Sequence, residues 1–256
     1  MKPEERRSRI LEYLRAMQRE VRVEELAEML QVSSLTIRRD LDKLAGDSTI
    51  IRTHGGCLSV GRAALETEYH QKVGLNFDLK QAIGKEASSM LEEGDSLLLN
   101  DGSTTFHLAT HLGSEKKLTV FTNSLAMITE VSRFSNVQLF ILGGRYEDAN
   151  YSLRGSLLEQ ILEKYTFDKV FLGADAVDEK GRCMVGTTEE ARLTRIMLDS
   201  GRKKVLLADH TKTGAAGHCA YCSLEDFDIW ITTAGLDRRL YENLSQYVEI
   251  IISDLH

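Results

Sequence analysis

Residues Val32–Leu41, with the sequence VSSLTIRRDL, decide the fold of the amino-terminal part of this chain. Ser33 is of a residue type that commonly caps helices, so we expect a helix to begin directly after it. Ile37, Leu41 and Leu44 then recur at helical spacing and form one apolar stripe that must be buried. The stretch therefore predicts an amphipathic helix that packs against other helices.

The opposite side of this predicted helix is polar and basic. It carries Ser34 and Thr36 near the helix start, followed within a turn by Arg38 and Arg39. Short hydroxyls suit base edges, and guanidinium groups suit phosphates. Two arginines on a helix are also typical of an ordinary solvated face, so the DNA-binding interpretation depends on the flanking sequence.

That flanking sequence predicts a helix-turn-helix. Val23–Leu30 (VEELAEML) reads as a short helix with Leu26, Met29 and Leu30 facing inward. Residues 31–33 leave room only for a tight turn before the next helix. Two short helices joined in this way are typical of DNA-binding domains, in which the second helix enters the major groove.

The segments on either side complete a winged domain over residues 1–60. Glu4–Gln18 is amphipathic and predicts a third helix. Ser48–Val60 (STIIRTHGGCLSV) predicts a hairpin that turns near Gly56. Arg52 and His54 would lie on one face of a hairpin strand. Two glycines alone would indicate only a turn, but their place after a helix-turn-helix favours a wing. The inward residues predicted in the third helix are Ile10, Leu11, Leu14 and Met17. The predicted DNA-contacting residues are Ser33, Ser34, Thr36, Arg38, Arg39, Lys43, Arg52 and His54.

Composition indicates a globular protein without a membrane anchor. The 256-residue chain has a net charge of -7, but residues 1–56 carry 11 Lys and Arg against 10 Asp and Glu, so the acidic excess lies in the remainder. No apolar run is long enough to span a membrane, and the charged start is unlike a signal peptide. The four cysteines do not form a disulfide framework, and we expect a cytoplasmic protein.

Residues 61–76 have weak periodicity and predict a linker, after which residues 77–256 predict an α/β domain. Short apolar runs alternate there with helical stretches, which favours a doubly wound, largely parallel sheet with both faces covered. Such sheets bind ligands beyond the carboxyl ends of their strands. The seven predicted strands are Ser96–Leu99, Leu118–Phe121, Val137–Leu142, Lys169–Leu172, Lys204–Ala208, Ile229–Thr232 and Val248–Ile252.

The loop after the first of these runs, DGSTT, indicates a phosphate site. Gly102 permits a tight turn, and Ser103, Thr104 and Thr105 add hydroxyl donors beside backbone amides. The sequence matches neither a Walker loop nor a dinucleotide fingerprint. Taken alone, it fits a hydroxyl-rich helix cap equally well.

Other predicted strand ends supply groups that suit a small polyol phosphate. Carboxylates and amides would bind the hydroxyls of such a ligand, and Lys212 would bind its phosphate. The predicted effector-binding residues are Asp101, Gly102, Ser103, Thr104, Thr105, Asn123, Ser124, Gly143, Gly144, Asp175, Glu189, Glu190 and Lys212.

Several of these motifs resemble the DeoR family of bacterial transcriptional regulators. ERRSRILEYL, VEELAEMLQVSSLTIRRDLDKL and IRTHGG are similar to its amino-terminal domain. DGSTT, GADAVD and ADHTKTG are similar to its effector domain, which resembles ribose-5-phosphate isomerase in fold and responds to phosphorylated sugars. The resemblance implies that Asp101–Thr105 is the phosphate loop and Lys212 the motif lysine. AGDSTI departs from the family's glycine-containing turn before the wing, and Thr233 stands where the family often has Asp.

Two alternatives remain open from the sequence. An isomerase could use Asp175, Asp178 and Glu190 to move a proton, but the lysine expected after GADAVD is replaced by Cys183-Met184-Val185-Gly186. A metal or redox sensor could use His218, Cys219 and Cys222, although zinc usually takes four ligands. We predict a regulator, not an enzyme, that has no cofactor, forms a homodimer or homotetramer, and binds operator DNA and a phosphorylated sugar.

Overall fold

The structure, a computed structural model, describes residues 3–17, 21–46, 50–53, 56–59, 72–215 and 217–254. The chain divides into two compact units, Met1–Phe77 and Asp78–His256. None of the described helices is both long enough and apolar enough to cross a membrane. Of the predicted linker, residues 61–71 lie outside the described residues, and residues 72–74 form a helical turn.

The first unit consists of three helices and a small antiparallel sheet. Its helices surround one apolar core, and its strands pair in the order β1-β3-β2. The predicted helix-turn-helix and the hairpin after it are both confirmed. The elements are α1 (Pro3–Met17), β1 (Val21–Arg22), α2 (Val23–Leu30), α3 (Ser34–Gly46), β2 (Ile50–Arg52) and β3 (Gly56–Ser59).

The core of the first unit contains most residues of the predicted apolar stripes. Leu11 is half-buried against it, and the side chain of Met17 lies outside what the structure describes. Ile37 and Leu41 of α3 are fully buried and Leu44 is nearly so, as predicted. Met29 was predicted to face inward and is 38% exposed. The prediction was wrong because Val23, which is 1% exposed, forms the buried stripe of α2 together with Leu26 and Leu30, and Met29 lies to one side of that stripe.

The sequence did not predict β1, which explains one glycine of the hairpin. Val21 pairs with Cys57 and Arg22 with Gly56, so the segment before α2 joins the sheet. A Cβ atom at Gly56 would lie 2.2 Å from the carbonyl oxygen of Val21. Glycine is therefore required at position 56 by the close approach of two backbones.

The second unit is built on a parallel sheet of seven strands in the order β15-β14-β12-β9-β4-β5-β6. All seven predicted runs are strands of this sheet, within three residues at each end, so the predicted fold class is confirmed. The strands are β4 (Ser96–Leu99), β5 (Leu118–Thr122), β6 (Val137–Ile141), β9 (Phe167–Gly173), β12 (Gly201–Leu207), β14 (Ile229–Thr233) and β15 (Glu249–Ser253).

Both faces of this sheet are buried under helices. Leu98 of β4 belongs to one apolar cluster, whereas its neighbours Leu97 and Leu99 belong to a second. Because successive side chains point to opposite faces, the two clusters cover the two faces. The helices are α4 (Phe77–Ser89), α5 (Ser103–Ala109), α6 (Ala126–Val131), α7 (Ser156–Leu162), α8 (Thr188–Asp199) and α9 (Arg238–Leu244).

The strand order places a switch point between β4 and β9. From β4 the chain proceeds outward through β5 and β6, then returns to β9 on the other side of β4 and proceeds outward again. Ligands bind at such points because the loops on either side diverge and leave a crevice.

Two small sheets at the carboxyl ends of these strands were not predicted. A hairpin of β7 (Arg145–Glu147) and β8 (Ser152–Arg154) follows β6. A three-stranded antiparallel sheet of β10 (Ala176–Val177), β11 (Arg182–Val185) and β13 (Cys219–Ser223) includes the segment after β9.

Candidate functional site

The helix predicted to face DNA begins as expected. The Ser33 hydroxyl accepts a hydrogen bond from the backbone N–H of Thr36 at 3.2 Å, and the two hydroxyls lie 2.9 Å apart. Gln31 adopts the left-handed conformation at φ 52°, which produces the tight turn between α2 and α3. The predicted turn and helix start are confirmed.

The outer face of α3 carries cations, while one of its acidic groups is turned inward. Arg38, Arg39 and Lys43 are exposed. Asp40 is 4% exposed and forms ion pairs with Arg6 and Arg7 of α1. The basic groups of this face therefore remain available to a polyanion.

The remaining predicted contacts vary in exposure. Ser33 is exposed, and Ser34 and Thr36 are half-buried. Arg52 of β2 is half-buried and lies 3.7 Å from Asp42. His54 lies outside the described residues.

In the second unit, Asn100 joins the loop after β4 to the loop after β9. Its side-chain oxygen accepts hydrogen bonds from the backbone N–H groups of Gly102 and Gly173, both at 3.3 Å. A Cβ atom at Gly102 would lie 3.1 Å from this oxygen and from the Thr105 hydroxyl, so glycine gives the loop its tight path. No local pattern in the sequence indicates this role of Asn100.

The three hydroxyls of the DGSTT loop differ in what they contact. The Thr105 hydroxyl is fully buried and donates within the loop, with the carbonyl oxygens of Asn100 and Gly102 at 2.8 and 2.7 Å. Its predicted role as a donor to ligand is therefore corrected, because its proton is used to hold the loop. The hydroxyls of Ser103 and Thr104 have no hydrogen-bond partner among the described residues.

Arg154 lies beside this loop and is the most important residue that sequence reasoning missed. It is 4% exposed, and its guanidinium contacts Asp101 at 3.2 Å and Glu190 at 3.6 Å. Burial alone would lower the pKa of Arg154, but the two carboxylates outweigh burial and raise it. The cluster brings together two predicted residues and a buried permanent cation.

Backbone pairing on the β7–β8 hairpin holds Arg154 in place. Leu153 donates its N–H to the carbonyl of Asn123 at 2.9 Å, and Ser152 pairs with Ser124. A Cβ atom at Gly144 would lie 2.4 Å from the carbonyl oxygen of Arg154, so this glycine lets the hairpin close. Gly144 is thus explained by packing, whereas a Cβ atom at Gly143 would meet open space.

Glu189 contacts a different arginine. Both of its carboxylate oxygens lie 3.0 Å from the guanidinium of Arg145, which also contacts Glu147 at 3.0 Å. The hydrogen bonds that Arg145 donates to Glu189 and Glu147 raise the pKa of its guanidinium. Arg145 and Arg154 are cross-strand partners, so Glu189 and Glu190, adjacent in the first turn of α8, pair with the two strands at the open end of the same hairpin.

Several buried polar atoms at the ends of β5 and β8 have no partner. The Asn123 amide nitrogen donates to the carbonyl of Leu153 at 3.1 Å, but its side-chain oxygen has no partner among the described residues. The hydroxyls of Ser124 and Ser152 are also buried without a partner in the part of the chain that the structure describes. Such atoms are costly to bury unless a ligand or water completes their hydrogen bonds.

Asp175 and Lys212 lie on loops after β9 and β12. A Cβ atom at Gly186 would lie 3.8 Å from a carboxylate oxygen of Asp175 and 3.7 Å from one of Glu190, so these predicted residues are neighbours. Lys212 ends a short 3-10 turn, and its ammonium has no ion-pair or hydrogen-bond partner among the described residues. Thr233 is fully buried, and its hydroxyl lies 2.8 Å from the His210 ring. Its side chain therefore holds the loop that follows β12.

Models of known protein families match residues in both units. The family model described as a DeoR-like helix-turn-helix domain matches residues 6–62, and that of the DeoR C terminal sensor domain matches residues 75–234. The chain belongs to the DeoR family. It is therefore a DNA-binding transcriptional regulator with a carboxyl-terminal sensor domain.

Curated DeoR-family relatives align with this chain over most of their length. The transcriptional repressor AccR of Agrobacterium fabrum is 30% identical over 91% of this chain and 90% of its own length. The lactose phosphotransferase system repressor of Staphylococcus aureus is 30% identical over 90% of this chain and 92% of its own. Among solved structures, ribose 5 phosphate isomerase A from Neisseria gonorrhoeae has 18% identity and a TM-score of 0.40, over 57% of this chain and 55% of that chain.

In this DeoR-family regulator the acidic residue Asp178, considered for an isomerase, is engaged in its own hairpin. Burial opposes ionisation, but hydrogen bonds from the backbone and side chain of Arg182 and from the backbone of Lys180 outweigh it and lower the pKa of Asp178. The distance from its carboxylate to the Arg182 guanidinium is 2.7 Å. Asp178 therefore stabilises the turn between β10 and β11.

The predicted sensor set was His218, Cys219 and Cys222, but the structure places Cys222 beside Cys183. Cys222 is paired across the strands with Cys183, and Cys219 with Val185. Contact with Cys222, together with burial, raises the pKa of the Cys183 thiol, which disfavours the reactive thiolate. No group of three potential ligands for a metal ion occurs among the described residues.

Proposed function

We propose that this regulator represses genes of sugar metabolism and is controlled by a phosphorylated sugar bound in its sensor domain. Residues 1–60 bind double-stranded operator DNA, residues 61–76 connect the domains, and residues 77–256 bind the effector. The protein acts in the cytoplasm as a homodimer or homotetramer, because helix-turn-helix proteins commonly bind paired half-sites.

The observation that carries the effector proposal is the cluster of Arg154 with Asp101 and Glu190 at the switch point of the sheet. A ligand with both an anionic group and several hydroxyls matches such a mixture of cation and carboxylates. Buried oxygens of Asn123 and Ser124 that lack partners extend the polar surface. The name of the lactose phosphotransferase system repressor supports a carbohydrate.

Within this proposal the polar groups have distinct roles. Ser103 and Thr104, with the backbone amides of Gly102 and its neighbours, bind the phosphate, and Lys212 contributes a cation. Thr105, Gly143 and Gly144 shape the crevice. The residues that bind the sugar hydroxyls are Asp101, Asn123, Ser124, Asp175, Glu189 and Glu190.

The DNA contacts are proposed to come from the outer face of α3 and from the wing. Hydroxyls of Ser33, Ser34 and Thr36 approach base edges or phosphates, and the cations neutralise phosphates. Arg38, Arg39, Lys43, Arg52 and His54 complete the set.

Control requires the ligand to distinguish two states of the protein. An effector with equal affinity for the DNA-bound and free arrangements would not shift the equilibrium between them. The sensor domain must therefore bind its ligand more tightly in one arrangement, and the segment 61–76 transmits the difference. Catalysis has no part in this proposal, since Asp178 is held by Arg182 and the expected lysine is absent from 183–186.

A thermal-shift screen tests the effector class. The purified protein is heated with phosphorylated sugars and, as controls, with the same sugars unphosphorylated. A ligand at about a hundred times its dissociation constant adds roughly 2.7 kcal/mol to the stability of the domain that binds it. If parent sugars shift the midpoint as much as their phosphates, the phosphate part of the proposal is wrong.

Two variants separate the proposed functions of the two units. Arg38→Ala should weaken operator binding and leave the ligand-induced thermal shift unchanged, because an exposed phosphate contact is lost. Lys212→Ala should reduce that shift and leave ligand-free operator binding unchanged. The proposal fails if Lys212→Ala responds to the ligand as the unchanged protein does. Sedimentation of the unmodified protein would measure its oligomeric state.

A further inference from the structure

Leu35 is an exposed apolar residue in the middle of the polar face of α3. Its exposed fraction is 60%, whereas Ile37, Leu41 and Leu44 of the same helix are at most 4% exposed. The core of the first unit therefore does not account for a leucine at this position. Isolated exposed leucines are common, so its position on the helix must decide whether it has a role.

The helical position of Leu35 is nearly opposite the buried stripe. At about 100° per residue, Leu35 lies roughly 150° around the helix from the centre of the stripe that Ile37, Leu41 and Leu44 form. Arg38 and Arg39, which are exposed, follow at spacings of three and four residues and lie next to Leu35 on the surface. A helix that faces DNA with its basic side also directs Leu35 toward the DNA.

The distribution of acidic groups indicates which end of α3 enters the groove. Asp40 is turned inward to Arg6 and Arg7, and the exposed carboxylate of Asp42 lies in the second half of the helix, near Arg52. The first half thus exposes hydroxyls, two guanidiniums and Leu35, with no exposed carboxylate. Recognition helices contact base edges with their amino-terminal residues.

We propose that Leu35 reads a thymine in the operator by packing against its 5-methyl group. Thymine alone among the bases presents a methyl group in the major groove, and apolar side chains recognise it there. Leu35 thereby contributes sequence preference at one position of each half-site, whereas Arg38 and Arg39 contribute affinity through phosphates. This inference rests on the proposed DNA-contacting face of α3.

Selection of bound sequences from a random pool of DNA duplexes tests the inference with the full-length protein. The unchanged protein is compared with Leu35→Ala and with Leu157→Ala, a control at an equally exposed leucine of α7. We expect the unchanged protein and Leu157→Ala to select the same motif. Leu35→Ala should select that motif with the preference for one thymine per half-site lost.

Replacement of thymine by deoxyuridine isolates the methyl group. In the selected duplex, uracil at the Leu35 position should weaken binding of the unchanged protein by about fourfold per half-site, the effect of one buried methyl group. The same replacement should leave binding by Leu35→Ala unchanged. If Leu35→Ala retains the full motif, or uracil weakens both proteins equally at every position, the inference is wrong. If the unchanged protein selects no sequence, the DNA-contacting face of α3 is also wrong.

Discussion

The two ends of the sensor-domain sheet differ in whether their buried polar side chains are paired. At the amino ends of the strands, Lys169 of β9 forms an ion pair of 2.6 Å with Asp95, and both are 7% exposed. Asp168 beside it accepts hydrogen bonds from the hydroxyl and backbone N–H of Ser96 at 2.6 and 3.0 Å. These contacts join β9 to β4 with charges and donors that are matched.

At the carboxyl ends, several buried polar atoms have no partner within the part of the chain that the structure describes. Asn123, Ser124, Ser152, Asp209 and Thr232 each have a buried side-chain oxygen without a partner among the described residues, whereas Asn136 is such a residue at the amino ends. Burial of unpaired oxygens lowers stability, so their concentration at one end indicates a binding surface. We call the amino ends of the strands, where the buried groups are paired with one another, the fastened end of the sheet. We call the carboxyl ends, where the unpartnered oxygens lie, the incomplete end.

The largest effect should come from breaking the fastened end. Lys169→Ala leaves Asp95 buried without its cation, and we expect a loss of about 3 kcal/mol in the free energy of unfolding, measured with urea. Lys203→Ala, an exposed lysine of β12, is the matched control and should change stability by less than about 0.5 kcal/mol. Equal effects of the two variants would show that the Lys169 ion pair has no special role.

An intermediate effect is expected at Asp168, and it should depend on pH. Hydrogen bonds from Ser96, with Arg202 nearby, outweigh burial and lower the pKa of Asp168. Because the folded-state pKa lies below the unfolded value, the stabilisation is present above about pH 4 and is lost as pH falls through the folded-state pKa.

Because the Asp168 side chain is 37% exposed and solvent screens its interactions, Asp168→Asn should cost about 1.5 kcal/mol at pH 7 and progressively less below pH 4. Urea unfolding at a series of pH values measures the difference. Asp254→Asn, at an exposed carboxylate, is the control and should show little change at either pH. A cost for Asp168→Asn that persists undiminished in acid would contradict this account.

The smallest effect should have the opposite sign and lie at the incomplete end. Ser124→Ala removes a buried hydroxyl that has no partner in the described ranges of the chain, and we expect a gain of up to about 1 kcal/mol in stability without ligand. Ser200→Ala removes a buried hydroxyl that donates to the Met197 carbonyl at 2.7 Å, and should cost about 1 kcal/mol.

Only Ser124→Ala should also reduce the ligand-induced thermal shift. If Ser124→Ala destabilises the protein as Ser200→Ala does, the hydroxyl of Ser124 is satisfied within the fold and the distinction between the two ends weakens.

The sheet was predictable because its inner strands, such as β4 and β14, are buried on both faces and so appear as continuous apolar runs. The loops after those runs were identified from the same physics, since parallel strands end at one edge. Asp101, Glu190 and Asp175 were predicted in this way, and the structure places Asp101 and Asp175 on either side of Glu190 through Arg154 and Gly186. Met29 shows the limit of periodicity in a helix of eight residues, where a neighbouring Val23 can replace one member of the stripe.

Arg154 was missed because nothing local marks it. It lies in a strand of three residues, too short to show alternation, and its contact with Asp101 spans 53 residues of sequence. Asn100 was missed because its role, bonding the backbone of Gly173, exists only once β4 and β9 are adjacent. Contacts between polar residues that are far apart in the chain leave no periodic pattern in the sequence.

The position of β4 beside β9 also determines when each half of the protein can form during synthesis. The Ser96–Asp168 hydrogen bond spans 72 residues of sequence. The centre of the sensor sheet therefore cannot assemble until β9 has emerged from the ribosome. The core of the helix-turn-helix unit is complete in sequence by Cys57. Domains generally fold in order of emergence, so a growing chain acquires its DNA-binding fold well before the effector crevice exists.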